Sequence, residues 1–383
     1  MNLRVKKVDV QILLVIFLFL EPWWLTTVKI VDLFYNLGKL VVCCWVVLYL
    51  LKTKFMLSKL SCLFITYRIY ICVISAYRGV FDIGYLSESL QYICFFVLLD
   101  YFILKYKIRI LKLVVLIMCM LLVFNLITYT PSGIIFEADS GYYLLGIRTR
   151  IAELAVPAMG LVLYLVKQTK KHRILLFFVY ISAISFYILE WVATALTCTI
   201  LFFVLLISEK IIYKKVQNAY HIILIIVLVT ISLGVVLFNV QELFADLITD
   251  LLHKRADLTG RTDIWYVAIP EISRYLILGH GFQNQGNFVS LYDFTTTAHN
   301  QWLQTMFYGG IVGSILFYLM PILSLKNCIQ ELKKEKNISI FIITLSVIIV
   351  ICTTEIVMDN IYYLIFIICM YRCREFSYDN EKS

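Results

Sequence analysis

The chain has 383 residues, of which 62% are hydrophobic and only 15% are charged, whereas about 25% of the residues of a soluble domain are charged. This composition excludes a soluble fold and is far too apolar for a disordered chain. The formal net charge of +9 does not indicate a nucleic-acid partner, because the Lys and Arg residues lie in short clusters between apolar segments, where they report membrane topology.

The pattern of apolar residues predicts an all-α, polytopic membrane protein that forms a single domain over residues 1–383. Twelve apolar stretches run at about 8–26, 33–51, 58–77, 85–104, 110–129, 151–166, 174–189, 191–208, 219–239, 301–324, 338–355 and 358–371. The last stretch is short enough to merge with its neighbour into a re-entrant pair, so the expected number of membrane helices is about 10 to 12.

The cations divide unequally between the two sides of these stretches. One side holds 24 of the 34 Lys and Arg residues and the other side holds eight, while Lys39 and Arg68 lie within the stretches themselves. The positive-inside rule therefore predicts that both termini are cytoplasmic. The eleven Cys residues lie almost entirely in apolar stretches, so no disulfide framework and no Cys metal site is expected.

Arg68 lies near the middle of the third stretch, where an unpaired cation costs about 2.5 to 3.5 kcal/mol on insertion scales. It must therefore face the interior of the bundle, and Glu88, near the outer end of the next stretch, is a candidate partner. A structural ion pair and a role in the path of a lipid phosphate are both open. Four aromatic residues at the outer helix ends are expected to form an interfacial belt: Trp23, Trp24, Tyr142 and Tyr143.

Two long loops lie on the extracytoplasmic side, at residues 130–150 and 240–298. The larger loop is expected to carry the catalytic groups, because a loop of this length usually has a function or a structure of its own. Its residues 240–252 have apolar side chains at helical spacing, which predicts an amphipathic interfacial helix. A second helix is expected after a cap at Thr259 or Thr262, with an apolar face formed by Ile264, Trp265, Ala268, Ile269 and Ile272.

The long loops carry arginines on a side where cations are otherwise scarce: Arg148, Arg150, Arg255, Arg261 and Arg274. Arginine is the side chain suited to phosphate, because its planar fork donates two parallel hydrogen bonds. An arginine cluster at the outer leaflet would suit a lipid pyrophosphate. The alternative is that each arginine forms a solvated ion pair with an acidic residue of the same loops, such as Asp263 or Glu271.

The larger loop ends with the sequence TTTAHNQ at residues 295–301, directly before a stretch that contains Gly309, Gly310 and Gly313. His299 would then lie at the outer mouth of that stretch. A neutral imidazole there could accept a proton from an attacking hydroxyl. The alternative is a histidine that is hydrogen-bonded to loop carbonyls.

Four separate elements have an order and spacing that identify a family. They are Gly260-Arg261 before Trp265, LILGHGF at 276–282, Ala298-His299-Asn300 before Leu303 and Gln304, and GGIVG at 309–313. Over residues 174–324 the chain resembles the O-antigen polymerase and O-antigen ligase family. One departure is clear, since Glu190-Trp191-Val192-Ala193-Thr194 stands where the family usually has Ser-Arg at the start of the eighth span.

The resemblance implies a glycosyltransferase of the GT-C type that uses undecaprenyl-pyrophosphate-linked glycans on the outer face of the bacterial inner membrane. It implies that the reaction uses no metal, no other cofactor and no nucleotide sugar. Arg261 matches the family arginine before the loop tryptophan, and His299 matches the family histidine of the AHN element. Arg148 and Arg150 occupy the place where the family often has an arginine in an earlier outer loop.

These features predict a repeat-unit polymerase for O-antigen or capsule, which transfers glycan by a metal-independent, inverting reaction. We expect Arg261, with Arg148, Arg150 and Arg255, to bind the pyrophosphate, and His299 to act as the base, with Asp263 as a substitute. The expected partners are the lipid-linked oligosaccharide, the lipid membrane and a chain-length regulator protein, and no nucleic acid. The open alternatives are a ligase that transfers the finished glycan to another lipid, a lipid-linked oligosaccharide flippase, and a metal site at Glu137 and Asp139.

Overall fold

The computed structural model describes residues 7–53, 56–137, 140–216, 218–244, 249–250, 260–283 and 297–376. These ranges are mostly helical and contain one small sheet, which confirms the predicted all-α membrane fold. The α-helices within them are α1 (Lys7–Phe19), α2 (Trp23–Thr26), α3 (Lys29–Thr53), α4 (Lys59–Tyr77), α5 (Ile83–Tyr106), α6 (Ile108–Ile127), α7 (Ile151–Thr169), α8 (Arg173–Leu189), α9 (Ala193–Val216), α10 (Asn218–Phe238), α11 (Arg261–Arg274), α12 (Gln301–Leu332), α13 (Ser339–Ile351) and α14 (Ile361–Tyr371).

In the described part of the chain, eight helices are long and apolar enough to cross a membrane, namely α3, α4, α5, α6, α7, α9, α10 and α12. Four shorter apolar helices, α1, α8, α13 and α14, occupy the other predicted stretches. At 1.5 Å per residue, α13 and α14 are only about 20 and 17 Å long, whereas the hydrocarbon core of a bilayer is about 30 Å thick.

The two shortest of these apolar helices lie at the centre of the bundle. Nearly every side chain of α13 and α14 is buried. Helix α13 packs against α7, α9 and α10, whereas α14 packs against α5, α7 and α12, so the two remain separate helices with different neighbours. A Cβ atom on Gly160 would lie 2.2 Å from Thr344 Oγ1, which shows how closely α7 approaches α13. Because other helices cover α13 and α14, their length need not match the lipid thickness.

A short polar turn joins these central helices at residues 352–360, which we call the 352–360 turn. Non-helical backbone at membrane depth is tolerated only where it is buried in protein or lines a water-filled cavity. The turn satisfies this condition, since its backbone is hydrogen-bonded by side chains of α12, as described below. It also brings three polar side chains into the bundle, those of Glu355, Asp359 and Asn360.

The first long loop forms an antiparallel sheet of three strands, β1 (Ile135–Glu137), β2 (Ser140–Tyr143) and β3 (Gly146–Ile147). The short helix α2 docks on it, with Trp24 N donating to Leu144 O at 3.1 Å and the Trp23 ring stacked on Tyr142 at 4.5 Å. The predicted interfacial position of Tyr143 is wrong, because only 2% of this residue is exposed. Its phenol is hydrogen-bonded to Glu190, at the position where the family motif differs.

Helix α11 begins at Arg261, directly after Gly260, which has a left-handed backbone with φ of +82°. The predicted Thr262 cap is wrong, because Thr262 lies inside the first turn, and Thr259 lies outside the described residues. The predicted apolar face is confirmed, since Ile264, Trp265, Ala268 and Ile272 are buried with Val236, Ala298, Leu303 and Phe307. The Trp265 indole donates to Ala298 O at 3.0 Å, which ties α11 to the segment that carries His299.

The start of the larger loop differs from its predicted conformation. Residues Val240–Phe244 form a 3-10 helix instead of an α-helix, and Leu243 is 81% exposed. Residues 245–248 and 251–259 of the predicted amphipathic helix lie outside the described residues.

The two glycine motifs of the family resemblance, at 276–282 and 309–313, lie against each other and are connected by backbone hydrogen bonds. Helix α12 is broken at Gly310, where φ is +59°, and the loop after α11 pairs with the break. His280 N donates to Phe307 O at 2.8 Å, and Ile311 N donates to Leu276 O at 2.9 Å. A Cβ atom on Gly279 would lie 2.5 Å from Gly310 N, so only glycine permits this approach. The motif therefore fixes α11 on α12 and does not itself supply reactive groups.

Candidate functional site

The N-terminal ends of α5, α7, α12 and α14 meet at one end of the bundle, together with the 352–360 turn. They surround a cavity of about 290 Å³, which we call the central cavity. Its walls are formed by Tyr67, Arg68, Tyr85, Glu88, Tyr92, Arg150, Glu153, Phe282, Thr297, Gln304, Tyr308, Ile356, Asp359 and Asn360. The wall is unusually polar for a membrane protein interior, and charged side chains at this depth are typical of a functional site.

The residues around His299 hold the cavity wall in place. The Asn300 side chain accepts from Leu303 N at 2.9 Å and so caps α12, while its Nδ2 donates to Thr353 O at 2.8 Å. Gln301 Oε1 accepts from Val357 N at 3.0 Å and from Met358 N at 2.7 Å. Both side chains are completely buried. The two polar residues after the histidine thus attach α12 to the 352–360 turn, which is a structural role.

His299 has the backbone strain that is common at functional positions. Its φ is +44°, in the left-handed region that non-glycine residues seldom adopt. Burial lowers the pKa of its imidazole to about 4, and the positive charges of Arg261 and Arg150 lower it further in the same direction. The ring is therefore neutral at pH 7, as a proton acceptor must be. The charges of both arginines therefore act on His299.

Arg261 is held by an acidic residue that the sequence did not single out for catalysis. Its Nη2 lies 2.5 Å from Glu355 Oε1, and the two side chains are 18% and 14% exposed. Burial raises the pKa of Glu355, and the charges of Arg261 and Arg150 oppose this rise. The ion pair therefore crosses from the large loop to the 352–360 turn. We call Arg150, Arg261, His299 and Glu355 the arginine cluster.

Arg68 lies deeper and forms a second group of charges, which we call the Arg68 cluster together with Tyr85, Glu88, Tyr92 and Asp359. Arg68 is 5% exposed, and its Nη2 lies 3.8 Å from Glu88 Oε1, which confirms the predicted partner. Its guanidinium lies 4.9 Å and 5.0 Å from the ring centres of Tyr85 and Tyr92. Asp359 completes the central cavity wall beside them.

The other candidate residues have different positions. Arg148 and Arg150 are both exposed, but only Arg150 lines the central cavity. Asp263 is exposed on the first turn of α11 and does not line the cavity either. Arg255 lies outside the described residues. Arg274 forms an exposed ion pair with Glu271 at 2.8 Å, as the alternative interpretation of the loop arginines expects.

Two cavity residues, Glu153 and Asn360, were not among the candidate site residues predicted from the sequence. Glu153 follows Arg150 by three residues at the start of α7, is 6% exposed, and accepts a hydrogen bond from Asn360. Both look like helix-capping residues in the sequence. Their only signal is that a carboxylate and an amide lie at the same end of two apolar stretches.

A metal site has little support in the described residues, where no three His, Cys, Asp or Glu side chains are grouped for metal binding. Asp139 of the alternative Glu137 and Asp139 site lies outside these residues. All eleven cysteines are free thiols.

The match to a known family covers the elements that build the arginine cluster. The O-antigen ligase family model matches residues 139–318, somewhat less than half of the chain. Residues 139–318 are therefore similar to the O-antigen ligase family, and we call this stretch the family domain. No curated protein matches the chain. The domain contains Arg150, Arg261 and His299, but it ends before Glu355 and begins after Arg68.

Similarity to this family indicates an enzyme of the glycan-ligase type. A flippase receives no support from the match. Although a flippase would also place cations in a central cavity, its transport path would not require the family motif that positions Arg261 and His299.

Proposed function

We propose that this protein is a polysaccharide repeat-unit polymerase for O-antigen or capsule. It transfers the glycan of one undecaprenyl-pyrophosphate-linked repeat unit to the non-reducing end of another. The proposal is supported by the O-antigen ligase family domain and by one observation of the site. In the arginine cluster, Arg261 is paired with Glu355, and both Arg261 and Arg150 lie close enough to the neutral His299 to lower its pKa, so guanidinium groups suited to an anionic ligand stand beside a proton acceptor.

In the proposed reaction, the oxygen of an acceptor hydroxyl attacks the anomeric carbon of the donor glycan. The bond between this carbon and the pyrophosphate oxygen breaks, and its electron pair leaves with the lipid pyrophosphate. Arg261 and Arg150 neutralise the charge that grows on this leaving group, so the leaving group needs no proton. His299 accepts the proton of the attacking hydroxyl. In-line displacement inverts the anomeric centre, and no metal ion takes part.

The ligase is the second candidate, because the matching family model describes that activity. It uses the same donor and the same leaving group and differs only in its acceptor. A deletion strain separates the two functions by the surface polysaccharide on a gel. Loss of a polymerase leaves a single repeat unit attached to its final carrier, whereas loss of a ligase abolishes attachment. If long, attached chains persist, neither function is correct. A chain-length regulator protein is the proposed partner of the polymerase.

We place the protein in the bacterial inner membrane with the arginine cluster on the outer face. The end of the bundle opposite the site carries most of the Lys and Arg residues, and such an end faces the cytoplasm. Reporter fusions at Thr169 and Lys334 should therefore report the cytoplasm, and a fusion at Asn284 should report the outer side. A cytoplasmic signal at Asn284 would place the site on the wrong leaflet for the proposed donor.

A further inference from the structure

A second cavity adjoins the central one, and the O-antigen ligase family domain supplies only part of its wall. This side cavity has a volume of about 260 Å³. It shares five wall residues with the central cavity, Glu88, Tyr92, Arg150, Glu153 and Asn360. The two cavities are therefore continuous, and Arg150 of the arginine cluster lies at their junction. Much of the remaining wall comes from α1, α2 and α3, through Phe19, Glu21, Trp23, Thr26 and Lys39.

The charges of the side cavity do not favour a phosphate. Its lysine, Lys39, is paired with Glu21 at 2.5 Å, and the two side chains are 13% and 8% exposed. Glu88 and Glu153 add two further carboxylates near Arg150. Since the cations are matched or outnumbered by acids, an anionic group gains little here. An uncharged ligand with many hydroxyl groups is the better match.

The remaining wall has the two features that sugar rings need. Trp23 supplies an aromatic side chain against which the C–H face of a pyranose can pack, and its stacking on Tyr142 fixes its orientation. Gln91, Thr26 and Asn360 supply amide and hydroxyl groups that can donate and accept hydrogen bonds. Such a mixture of apolar surface and a few convergent polar groups is typical of small-molecule sites.

The wall is also held rigidly with respect to the arginine cluster. A Cβ atom on Gly146 would lie 3.7 Å from Trp23 and 3.8 Å from the Arg150 side chain, so β3 packs between them. The bond from Trp24 N to Leu144 O fixes α2 on the same sheet. A ligand that packs on Trp23 would therefore have a defined position relative to Arg150.

We propose that the side cavity binds the terminal sugar of the acceptor glycan and directs its reacting hydroxyl to the junction beside Arg150 and Glu153. This inference rests on the proposed function and adds the location of the acceptor. Polymerase and ligase share the donor and differ in the acceptor. An acceptor site whose wall residues lie mostly outside the family domain at 139–318 agrees with that division.

The test uses a probe that can accept glycan but cannot donate it. The repeat-unit oligosaccharide is released from its lipid pyrophosphate by mild acid and tagged at its reducing end, so it has no leaving group. Its binding to the purified full-length protein and its elongation by lipid-linked repeat units are both measured. Trp23→Ala should weaken binding and raise the acceptor KM by about tenfold or more, as expected for loss of an aromatic contact, with the donor KM unchanged.

Two further variants distinguish a loss of acceptor binding from a loss of folding. Trp24→Ala is the matched control, because Trp24 is the adjacent tryptophan of the same helix and does not line the cavity. Gln91→Leu removes a cavity amide without a large change in volume and should also raise the acceptor KM alone. The inference is overturned if Trp24→Ala weakens acceptor binding as much as Trp23→Ala, or if Trp23→Ala and Gln91→Leu leave acceptor binding unchanged.

The same measurements separate this inference from the proposed function. If the wild-type protein binds the tagged oligosaccharide in a Trp23-dependent manner but never elongates it, the glycan site stands and the polymerase function is wrong. If elongation occurs with an acceptor KM that does not depend on Trp23 or Gln91, the function stands and the acceptor site is wrong.

Discussion

The arginine cluster and the Arg68 cluster lie at the same end of the bundle but differ in their balance of charge. Arg261 is paired with Glu355 in the arginine cluster, and Arg150 acts on the same carboxylate through its charge, whereas Arg68 faces two carboxylates, those of Glu88 and Asp359. Among the residues that define each cluster, guanidinium groups therefore outnumber carboxylates in the first and are outnumbered in the second. Arg68, the more deeply buried arginine, is therefore the weaker candidate for pyrophosphate binding, because its charge stabilises the carboxylates of Glu88 and Asp359.

The two clusters also differ in how the chain builds them. The Arg68 cluster is formed mainly by helices α4 and α5, which hold its members whether or not a ligand is present. The arginine cluster combines the N-cap of α7, the start of α11, the segment before α12 and the 352–360 turn. Groups that meet only through loops can be arranged for a ligand without disturbing the packed helices. The predictions below test this division between a catalytic and a structural cluster.

The largest effect is expected for Arg261. Arg261→Ala should lower the rate of transfer by at least about 100-fold, since two charge-assisted hydrogen bonds of about 1.5 to 3 kcal/mol each are lost and each 1.4 kcal/mol is a factor of ten. Arg261→Lys keeps the charge but lacks the fork, so it should recover only part of the rate. The measurement is transfer by purified protein from lipid-linked repeat units.

The matched control for Arg261 is Arg274→Ala, in the last turn of the same helix. Arg274 is 70% exposed on its side chain and pairs only with Glu271 at the surface, so its removal should change the rate by less than about twofold. Equal losses in both variants would show that α11 needs positive charge in general, and the assignment of Arg261 to the pyrophosphate would be wrong.

His299 should affect the chemical step and not donor binding. His299→Ala should lower kcat by about 100-fold, at the lower end of the range for a proton acceptor, while the donor affinity stays unchanged. The imidazole has a pKa near 4 because it is buried between Arg261 and Arg150. The kcat/KM of the wild-type protein should therefore fall only as the pH drops towards 4, where the ring becomes protonated.

Arg150→Gln sharpens this prediction, because it removes one of the two positive charges that lower the His299 pKa. The pKa must then rise, so the acid limb of kcat/KM should move to higher pH. The same limb should be absent in His299→Ala. If the pH profile is identical in the wild-type and Arg150→Gln proteins, the charge of Arg150 does not lower the pKa of His299, and the assignment of His299 to the arginine cluster is wrong.

The predictability of the two clusters from sequence follows from the way they are built. Arg68 and Glu88 were paired correctly because a cation inside an apolar stretch must find a nearby acid. The apolar face of α11 was found because Ile264, Trp265 and Ala268 recur at helical spacing. Glu355 was not assigned to Arg261, because 94 residues separate the two and no local pattern reports a contact of that range.

The prediction of the fold was limited in the same way, because tertiary contacts leave no local pattern in the sequence. The lengths of most helices followed from apolar composition, and the two stretches at 338–355 and 358–371 correspond to α13 and α14, but hydropathy did not report that both are buried at the centre of the bundle. Gly260 begins α11 with a left-handed backbone, whereas a threonine cap was expected from side-chain preference. The position of Trp23 on the sheet depends on a tertiary contact with Tyr142, which hydropathy does not encode.

A substitution in the Arg68 cluster is expected to have a smaller effect, and to change the stability of the protein instead of the binding of the donor. Arg68→Met leaves Glu88 and Asp359 without their compensating charge, so the protein should become less stable. A loss of about 2 kcal/mol lowers Tm by roughly 4 to 8 °C in a domain of a few hundred residues. The donor KM should stay within about twofold, the scatter expected for residues that do not contact the ligand. An unchanged Tm with a strongly raised donor KM would move the pyrophosphate from the arginine cluster to Arg68.

The smallest effect is expected from removal of divalent metal ions. A divalent cation would neutralise the same leaving-group charge that we propose Arg261 and Arg150 neutralise, so excess EDTA should leave the rate of transfer unchanged. The sensitive form of this test uses Arg261→Ala, in which half of the neutralising pair is missing. If magnesium restores the rate of this variant but does not affect the wild-type protein, the arginine and the metal perform the same electrostatic role. If EDTA abolishes transfer by the wild-type protein and magnesium restores it, the arginine cluster does not carry the leaving-group charge alone.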